Sequence, residues 1–279
     1  MPVSRARAAV VAVAWAVALA AWMPGAASAQ EIVKVPTRPG VTVRVALAAP
    51  SGEPTALILM FPGGLGQNHF RESDGKVVMG GNFLVRTAKH FVARGLLVAV
   101  IDTPSDAPQG MDDAFRMGKA HVEDVTKVLE MLEARTPAPI YLAGTSRGTL
   151  SAAYLAATVT DPRVKGLVLT TSLGEAGRGR NRSVTVYDAP LKRITIPVLV
   201  VQHRDDACWA SPFSAATGIP AALSGSAKVD FVAVSGGDPP RSEPCEAFAA
   251  HGFVGREVLV VDVITDWIAG KLVPKEIGR

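Results

Sequence analysis

The chain has 279 residues, of which 48% are hydrophobic, 19% charged and 6% aromatic. This composition excludes an intrinsically disordered, collagen-like or low-complexity protein, and a count of only two cysteines excludes a disulfide-dense miniprotein. The net charge is only +4, and two of the positive charges, Arg5 and Arg7, lie in the first seven residues. Because no run of basic residues is interleaved with aromatic ones, we expect no nucleic-acid partner.

Residues 1–29 have the three-part pattern of a secretory signal peptide. A basic start precedes a charge-free apolar run over residues 8–22, and an Ala-Ser-Ala cleavage site ends at Ala29. A membrane-spanning helix needs about 20 apolar residues, which is more than this run provides. We therefore predict cleavage after Ala29, export to the periplasm or the medium, and no stable membrane insertion. An uncleaved anchor is the alternative; a lipid anchor is less favoured because no cysteine follows the run.

Apolar strands and amphipathic helices alternate along the rest of the chain. Two alternating, β-branched runs joined by an Arg-Pro-Gly turn predict a hairpin at the edge of a sheet. Six further apolar runs are typical of buried strands. In chain order the eight predicted strands are 31–37, 41–48, 55–61, 96–101, 140–143, 167–171, 197–201 and 229–234.

Helical periodicity occupies the intervals between these strands. Apolar residues recur at spacings of three and four over residues 82–94, 121–132 and 256–272. Strands that alternate with helices need crossover connections, so we predict a mostly parallel eight-stranded sheet with helices on both faces. No internal repeat or low-complexity linker interrupts the pattern, and residues 30–279 are therefore assigned to one α/β domain.

A Gly-x-Ser-x-Gly pentapeptide at residues 144–148 follows the fifth predicted strand and leads into a helical run. A serine at such a tight strand-to-helix turn has its hydroxyl pushed clear of the sheet, and the glycines let strand and helix approach without a Cβ collision. The helix start also directs backbone N–H groups towards the reacting centre. Ser146 is therefore a candidate nucleophile. The alternative is a phosphate-type turn or an ordinary strand–helix junction.

With this pentapeptide in this position, the chain resembles the α/β-hydrolase superfamily over nearly all of residues 31–272. The resemblance includes the eight predicted strands, of which the first two form a hairpin. In that superfamily the nucleophile follows the fifth strand, the acid follows the seventh and the histidine follows the eighth. The resemblance therefore implies a serine hydrolase with a Ser-His-Asp triad.

The loop after the seventh predicted strand contains the candidate acid. Superfamily members often carry the acid three residues after a Gly or His in this loop, and counting from His203 gives Asp206, with Asp205 as the alternative. His251 follows the eighth strand, where it can take the proton of the nucleophile and return it to the leaving group. His203 is the main alternative for this base, and His69 is a candidate pocket residue after the third strand.

Two backbone N–H groups are expected to stabilise an oxyanion. One belongs to Arg147, the residue after the candidate nucleophile. The other is expected from residues 61–66 (Phe-Pro-Gly-Gly-Leu-Gly), which resemble the superfamily's His-Gly-Gly-type loop except for the Phe-Pro start. Since proline has no N–H, the donor is Gly63, Gly64 or Leu65, and Gly64 is preferred. A plain Gly-rich turn is the alternative.

Both cysteines lie close to the candidate triad in the sequence. Cys208 is two residues after Asp206, and Cys245 is six residues before His251. In an exported protein a cysteine pair is more often bridged than free, so we predict a disulfide between the acid loop and the histidine loop. Closing a loop of this size stabilises a protein by about 3–4 kcal/mol in the chain-entropy model. Two buried thiols or a metal pair are the alternatives, although two cysteines alone are too few for a zinc site.

These features predict an exported, carboxylesterase-like serine hydrolase. The enzyme would form an acyl-enzyme on Ser146, act on a small acyl substrate, and need no metal or organic cofactor. A peptidase or amidase with the same triad stays open, as does a non-catalytic binding protein on this fold.

The sequence says less about substrate choice. Residues 172–193 are enough for a short flap but not for a large lid domain. Within them, the glycine-rich basic stretch 174–182 is either a contact for an anionic substrate or a solvated loop. Trp209 and Phe213 either form a wall of an acyl pocket or pack in the core.

Overall fold

The computed structural model describes residues 30–68, 70–73, 76–78, 81–177 and 184–278. The predicted signal peptide, His69 and residues 178–182 of the basic stretch lie outside the described residues. Within the described ranges, no helix combines the length and the apolar character that crossing a bilayer requires.

Nine of the eleven described strands form one central sheet. In chain order the strands are β1 (Gln30–Pro36), β2 (Thr42–Ala48), β3 (Ala56–Phe61), β4 (Arg71–Ser73), β5 (Lys76–Val78), β6 (Leu96–Pro104), β7 (Ile140–Thr145), β8 (Val164–Thr170), β9 (Val198–His203), β10 (Val229–Val234) and β11 (Glu276–Ile277). Across the central sheet the order is β1-β2-β6-β3-β7-β8-β9-β10-β11, and β4 and β5 pair only with each other.

The pairing in the central sheet is mostly parallel. Strands β1 and β2 form the predicted antiparallel hairpin, and β2 also runs antiparallel to β6. Every pairing from β6 through β3 to β11 is parallel. The predicted α/β fold class is therefore confirmed. The sheet has one strand more than predicted because β11 has only two residues, which is too short for an alternating pattern.

Helices cover both faces of this sheet. The described helices are α1 (Phe83–Val92), α2 (Asp113–Arg116), α3 (Lys119–Glu133), α4 (Gly148–Thr158), α5 (Phe213–Ala216), α6 (Ile219–Ala222) and α7 (Glu257–Ile268). Along β3, alternate side chains enter two separate cores, as the two-residue period of a strand requires. Leu57, Leu59 and Phe61 join the core under α3 and α4, whereas Ile58 and Met60 join the core under α1 and α7. A strand buried on both faces explains why its sequence is a continuous apolar run.

The loops that contain the candidate site residues leave the sheet at one edge. Because the strands concerned are parallel, their carboxyl ends meet at this edge. Ser146 follows β7, Asp206 follows β9, and His251 lies between β10 and α7. The glycine-rich residues 62–66 follow β3, the neighbour of β7. Parallel pairing thus brings residues that are far apart in the chain to the same side of the molecule.

Candidate active site

Ser146 occupies a strained turn between β7 and α4. Its φ of 53° lies in the left-handed region, which residues other than glycine rarely adopt. A Cβ on Gly144 would lie 2.5 Å from the carbonyl oxygen of Gly148, and a Cβ on Gly148 would lie 1.9 Å from the carbonyl oxygen of Phe61. Neither distance accommodates a side chain, so the Gly-x-Ser-x-Gly spacing is a steric requirement of this turn.

Hydrogen bonds on both sides hold the turn in place. The Ser146 N–H donates to the carbonyl oxygen of Thr170 at 3.0 Å, which ties the turn to the end of β8. The Ser146 carbonyl accepts from the Thr149 N–H at 2.9 Å and from the Thr149 hydroxyl at 2.6 Å. The strained backbone at Ser146 is therefore fixed by its surroundings, as a strained functional residue requires.

His251 is held by a buried carboxylate. The residue lies in a short 3-10 turn, Ala250–Gly252, and its Nδ1 is 3.0 Å from Oδ2 of Asp206. Both residues are buried. With Nδ1 engaged by the carboxylate, Nε2 is the ring nitrogen left for a substrate or a nucleophile, and it makes no hydrogen bond to the described residues. A histidine in this state can exchange protons through Nε2.

Ser146 and His251 line one cavity of about 410 Å³. Glycines of the loop after β3 and Phe248 contribute to the same wall. The Ser146 hydroxyl and the His251 ring do not form a direct hydrogen bond in this structure. Catalytic hydrogen bonds of this kind are often long until substrate binds and tighten in the reacting complex. The shared cavity brings the hydroxyl and the imidazole to the same site.

Two further buried side chains contact this pair, and the sequence did not single them out. The Ser211 hydroxyl donates to Oδ2 of Asp206 at 2.9 Å and also lies 2.9 Å from Nδ1 of His251. The side-chain amide of Gln202 donates to the same carboxylate oxygen at 3.4 Å and to the carbonyl oxygen of Ser211 at 2.7 Å. Gln202 could have been noticed as a polar residue at the end of the apolar run of β9. Ser211 belongs to no recognisable motif.

The alternative acid and base make different contacts. Asp205 is exposed, and its backbone N–H donates to Nδ1 of His203 at 3.0 Å. The Nε2 of His203 is 2.8 Å from the carbonyl oxygen of Gly236. Both ring nitrogens of His203 are thus engaged by backbone groups, which leaves neither for proton transfer. The geometry favours Asp206 and His251 over these alternatives.

The loop after β3 packs directly against the candidate nucleophile. A Cβ on Gly63 would lie 2.9 Å from the Cβ of Ser146. Gly63 and Gly64 both line the cavity, whereas the Leu65 side chain is 46% exposed and lies outside the cavity wall. The backbone N–H groups of Gly64 and Arg147 have no acceptor among the described residues. These contacts favour Gly63 or Gly64 over Leu65 as an oxyanion donor.

Comparison with solved structures identifies the fold of this chain. Est1E from Butyrivibrio proteoclasticus is 16% identical, with a TM-score of 0.58 over 86% of this chain and 98% of its own. An alpha-beta serine hydrolase homologue from Coxiella burnetii is 20% identical, with a TM-score of 0.57 over 85% of this chain and 97% of its own. The chain has the α/β-hydrolase fold.

A larger protein shares this fold as well. An acylaminoacyl peptidase in complex with a chloromethyl ketone is 11% identical, with a TM-score of 0.60 over 90% of this chain but only 43% of its own. No protein-family model matches the chain, and no curated protein matches its sequence. At these identities the likeness establishes the α/β-hydrolase fold and leaves the chemistry to the geometry of the site.

The predicted disulfide is confirmed. Cys208 and Cys245 are bonded, and the bond joins the loop after β9 to the loop that leads to His251. The Cys208 N–H donates to Oδ1 of Asp206 at 3.0 Å, and Cys245 lines the cavity. The bridge therefore anchors the carboxylate and the histidine of this α/β-hydrolase fold to each other.

The two aromatic residues predicted to form an acyl pocket or pack in the core do neither fully. Trp209 is 58% exposed and lies outside the cavity wall, so solvent contact replaces both predicted roles. Phe213 packs edge-on against Phe231 with the ring centroids 5.8 Å apart, also away from the cavity. Phe83 and Phe248 are the phenylalanines in the wall among the described residues. The described ranges contain no group of three or more His, Cys, Asp or Glu side chains positioned to ligate a metal ion.

Proposed function

We propose that this protein is an exported serine hydrolase of carboxylic esters, with Ser146, His251 and Asp206 as its catalytic triad. The observation that carries the proposal is the buried contact between Asp206 and His251 Nδ1 beside a cavity that Ser146 also lines. A serine on a left-handed turn, a histidine with a free Nε2 and a buried carboxylate on Nδ1 are the three parts that acyl transfer through a serine requires.

In the proposed reaction, the Ser146 hydroxyl attacks the acyl carbonyl while His251 Nε2 takes the hydroxyl proton. Asp206 accepts the Nδ1–H and stabilises the imidazolium that forms. Collapse of the tetrahedral intermediate releases the alcohol, which takes the proton from His251, and leaves an acyl-enzyme on Ser146. Water then attacks this ester while His251 takes its proton, and collapse of the second intermediate releases the carboxylic acid as His251 returns the proton to the Ser146 oxygen.

The proposed oxyanion donors are the backbone N–H groups of Gly64 and Arg147. Both N–H groups lack an acceptor among the described residues, which leaves them available for a substrate oxygen. Gly63 is the alternative to Gly64, since both line the cavity. Donors that are fixed before substrate arrives stabilise the developing negative charge without reorganisation during the reaction.

The contacts of Ser211 and Gln202 support a fixed orientation of the triad acid. Each donates to the Asp206 carboxylate, and the Cys208 N–H donates to its other oxygen. The hydroxyl of Ser211 uses its proton for Asp206, so a lone pair remains to share the Nδ1–H of His251. In this arrangement the carboxylate and the hydroxyl together favour the histidine tautomer with its proton on Nδ1.

Two features support the proposed export of this hydrolase. The first 29 residues follow the pattern of a cleavable signal peptide. The disulfide between Cys208 and Cys245 is the kind of bond that persists in oxidising compartments and is rare in the cytosol.

A substrate panel tests the ester proposal against the peptidase alternative. We expect the purified protein to hydrolyse short-chain p-nitrophenyl esters and to leave aminoacyl p-nitroanilides intact, because the described cavity wall contains one carboxylate, Glu246, and no pair of carboxylates to bind a substrate amino terminus. Hydrolysis should disappear in Ser146→Ala and persist in the matched control Ser214→Ala, an exposed serine on α5. Faster release of p-nitroaniline than of p-nitrophenol would instead assign the site to amides.

A further inference from the structure

Arg116 is a fully buried arginine that has no ion pair with the described carboxylates. Its Nη1 donates to the Ser151 hydroxyl at 3.0 Å, and its Nη2 donates to the carbonyl oxygens of Gly64 at 3.0 Å and Pro62 at 3.3 Å. Burial lowers the pKa of Arg116 to about 10, so the guanidinium is still a cation at neutral pH. Burial also lowers the pKa of the nearby His121 to about 3, and that ring is neutral. A buried cation that forms no direct ion pair is costly, so stability alone is a poor reason for its presence.

The two carbonyls that Arg116 binds belong to the proposed oxyanion loop. A peptide unit is planar and trans, so its C=O and N–H point in opposite directions. The hydrogen bond to the Pro62 carbonyl therefore turns the Gly63 N–H away from Arg116. The Gly63 carbonyl accepts from the Gly66 N–H at 3.1 Å, which orients the Gly64 N–H in the same manner. Arg116 thus orients the Gly63 N–H directly, whereas the Gly64 N–H is oriented by the turn that Arg116 braces at its Pro62 and Gly64 carbonyls.

The short helix α2 also contacts the other half of the proposed oxyanion site. Asp113, three residues before Arg116, accepts from Nε of Arg147 at 2.8 Å and from its Nη2 at 2.6 Å. Arg147 directly follows the candidate nucleophile. Ser151, the partner of Arg116 Nη1, lies one turn further along α4. Helix α2 thus contacts both parts of the proposed oxyanion site: Arg116 binds the loop after β3, and Asp113 binds Arg147 in the nucleophile turn.

We propose that Arg116 is a positioning residue that holds the Gly63-Gly64 loop against the Ser146 turn and so presets the oxyanion donors. The inference rests on the proposed function above, because an oxyanion forms only if acyl transfer takes place at Ser146. Arg116 is buried away from the reacting atoms and acts through the peptide units that it binds. Its removal should therefore affect the transition state more than substrate binding.

The test compares Arg116→Met and Arg116→Lys with wild type on a p-nitrophenyl ester and on its thiono analogue. Sulfur is a weak hydrogen-bond acceptor, so the thiono substrate gains little from the donors. We expect kcat for the oxygen ester to fall about 10- to 100-fold with KM within about threefold, below the 10²–10³-fold loss that removal of a donor causes. The ratio of kcat/KM for the oxygen ester over the thiono ester should fall with it.

Two further variants separate positioning from general loss of stability. Arg163→Met removes an arginine that is mostly buried and pairs with Asp161. It lies just before β8, at the amino-terminal ends of the parallel strands and so away from the candidate site. This substitution should lower the thermal midpoint and leave the oxygen-to-thiono ratio unchanged. If Arg116→Met and Arg116→Lys do not fold, Ser151→Ala removes only the hydroxyl that anchors Nη1, and it should lower kcat and the ratio in the same direction.

The outcomes are distinguishable. An active wild type together with a folded Arg116 or Ser151 variant that keeps the wild-type kcat and the wild-type ratio would overturn the positioning role and leave the esterase proposal intact. A folded wild type that hydrolyses neither ester would overturn the proposed function, and the role of Arg116 with it. A fall in kcat with an unchanged ratio would show a structural effect only and would also overturn the positioning role.

Discussion

Replacement of His251 by alanine is expected to lower kcat for a p-nitrophenyl ester by about 10⁴- to 10⁶-fold. Among the described residues, His251 is the histidine that lines the cavity of Ser146, and without its Nε2 the hydroxyl has no acceptor for its proton. The fold should survive, because Asp206 keeps its hydrogen bonds from Ser211 and from the Cys208 N–H. Steady-state kinetics together with a thermal melt measure both parts of this expectation.

The matched control for His251 is His90→Ala. His90 lies on α1, outside the cavity wall, and turnover should stay within about twofold of wild type, as for most surface substitutions. Near-normal turnover in His251→Ala would remove this residue from the proton-transfer role. The backbone contacts of both His203 nitrogens make that residue an unsuitable replacement.

Asp206→Asn is expected to lower kcat by about 10⁴-fold, because an amide in place of the carboxylate favours the wrong histidine tautomer. The substitution keeps the size of the side chain, and it changes an acceptor of the Nδ1–H into a group that also donates. The loss should appear in kcat with the protein folded, since neither the disulfide nor the packing around Asp206 is removed.

Asp205→Asn is the matched control for the acid, since it makes the same chemical change one residue earlier. Asp205 is exposed and lines a different cavity, so activity should stay within about twofold of wild type. Comparison of kcat for the two variants in the same assay assigns the acid. A larger loss in Asp205→Asn than in Asp206→Asn would reverse the assignment.

Much of the fold could be predicted because local sequence determines it. Each parallel strand of the sheet interior is buried on both faces, so it appears in the sequence as an apolar run such as residues 55–61. The turn at Ser146 was visible for a steric reason: Gly144 and Gly148 stand where no Cβ fits. The disulfide followed from the cysteine count and from the predicted export of the protein.

The residues that the sequence did not reveal act through tertiary contacts. Ser211 contacts His251, which lies 40 positions further along the chain, and Arg116 contacts Gly64, which lies 52 positions earlier. Such contacts depend on how loops meet at the sheet edge, and no local spacing encodes them. The same reason explains why Trp209 was misplaced: an aromatic residue beside a cysteine gives no information about which side of the loop faces solvent.

Active-site labelling with a fluorophosphonate tests the central claim most directly. The claim is that the Ser146 hydroxyl is activated by the folded arrangement around it. We predict one label per chain on the peptide that contains Ser146, found by mass spectrometry, with no label in Ser146→Ala or in urea-unfolded protein. Absence of the label from folded wild type, or an undiminished label in Ser146→Ala, would contradict the account.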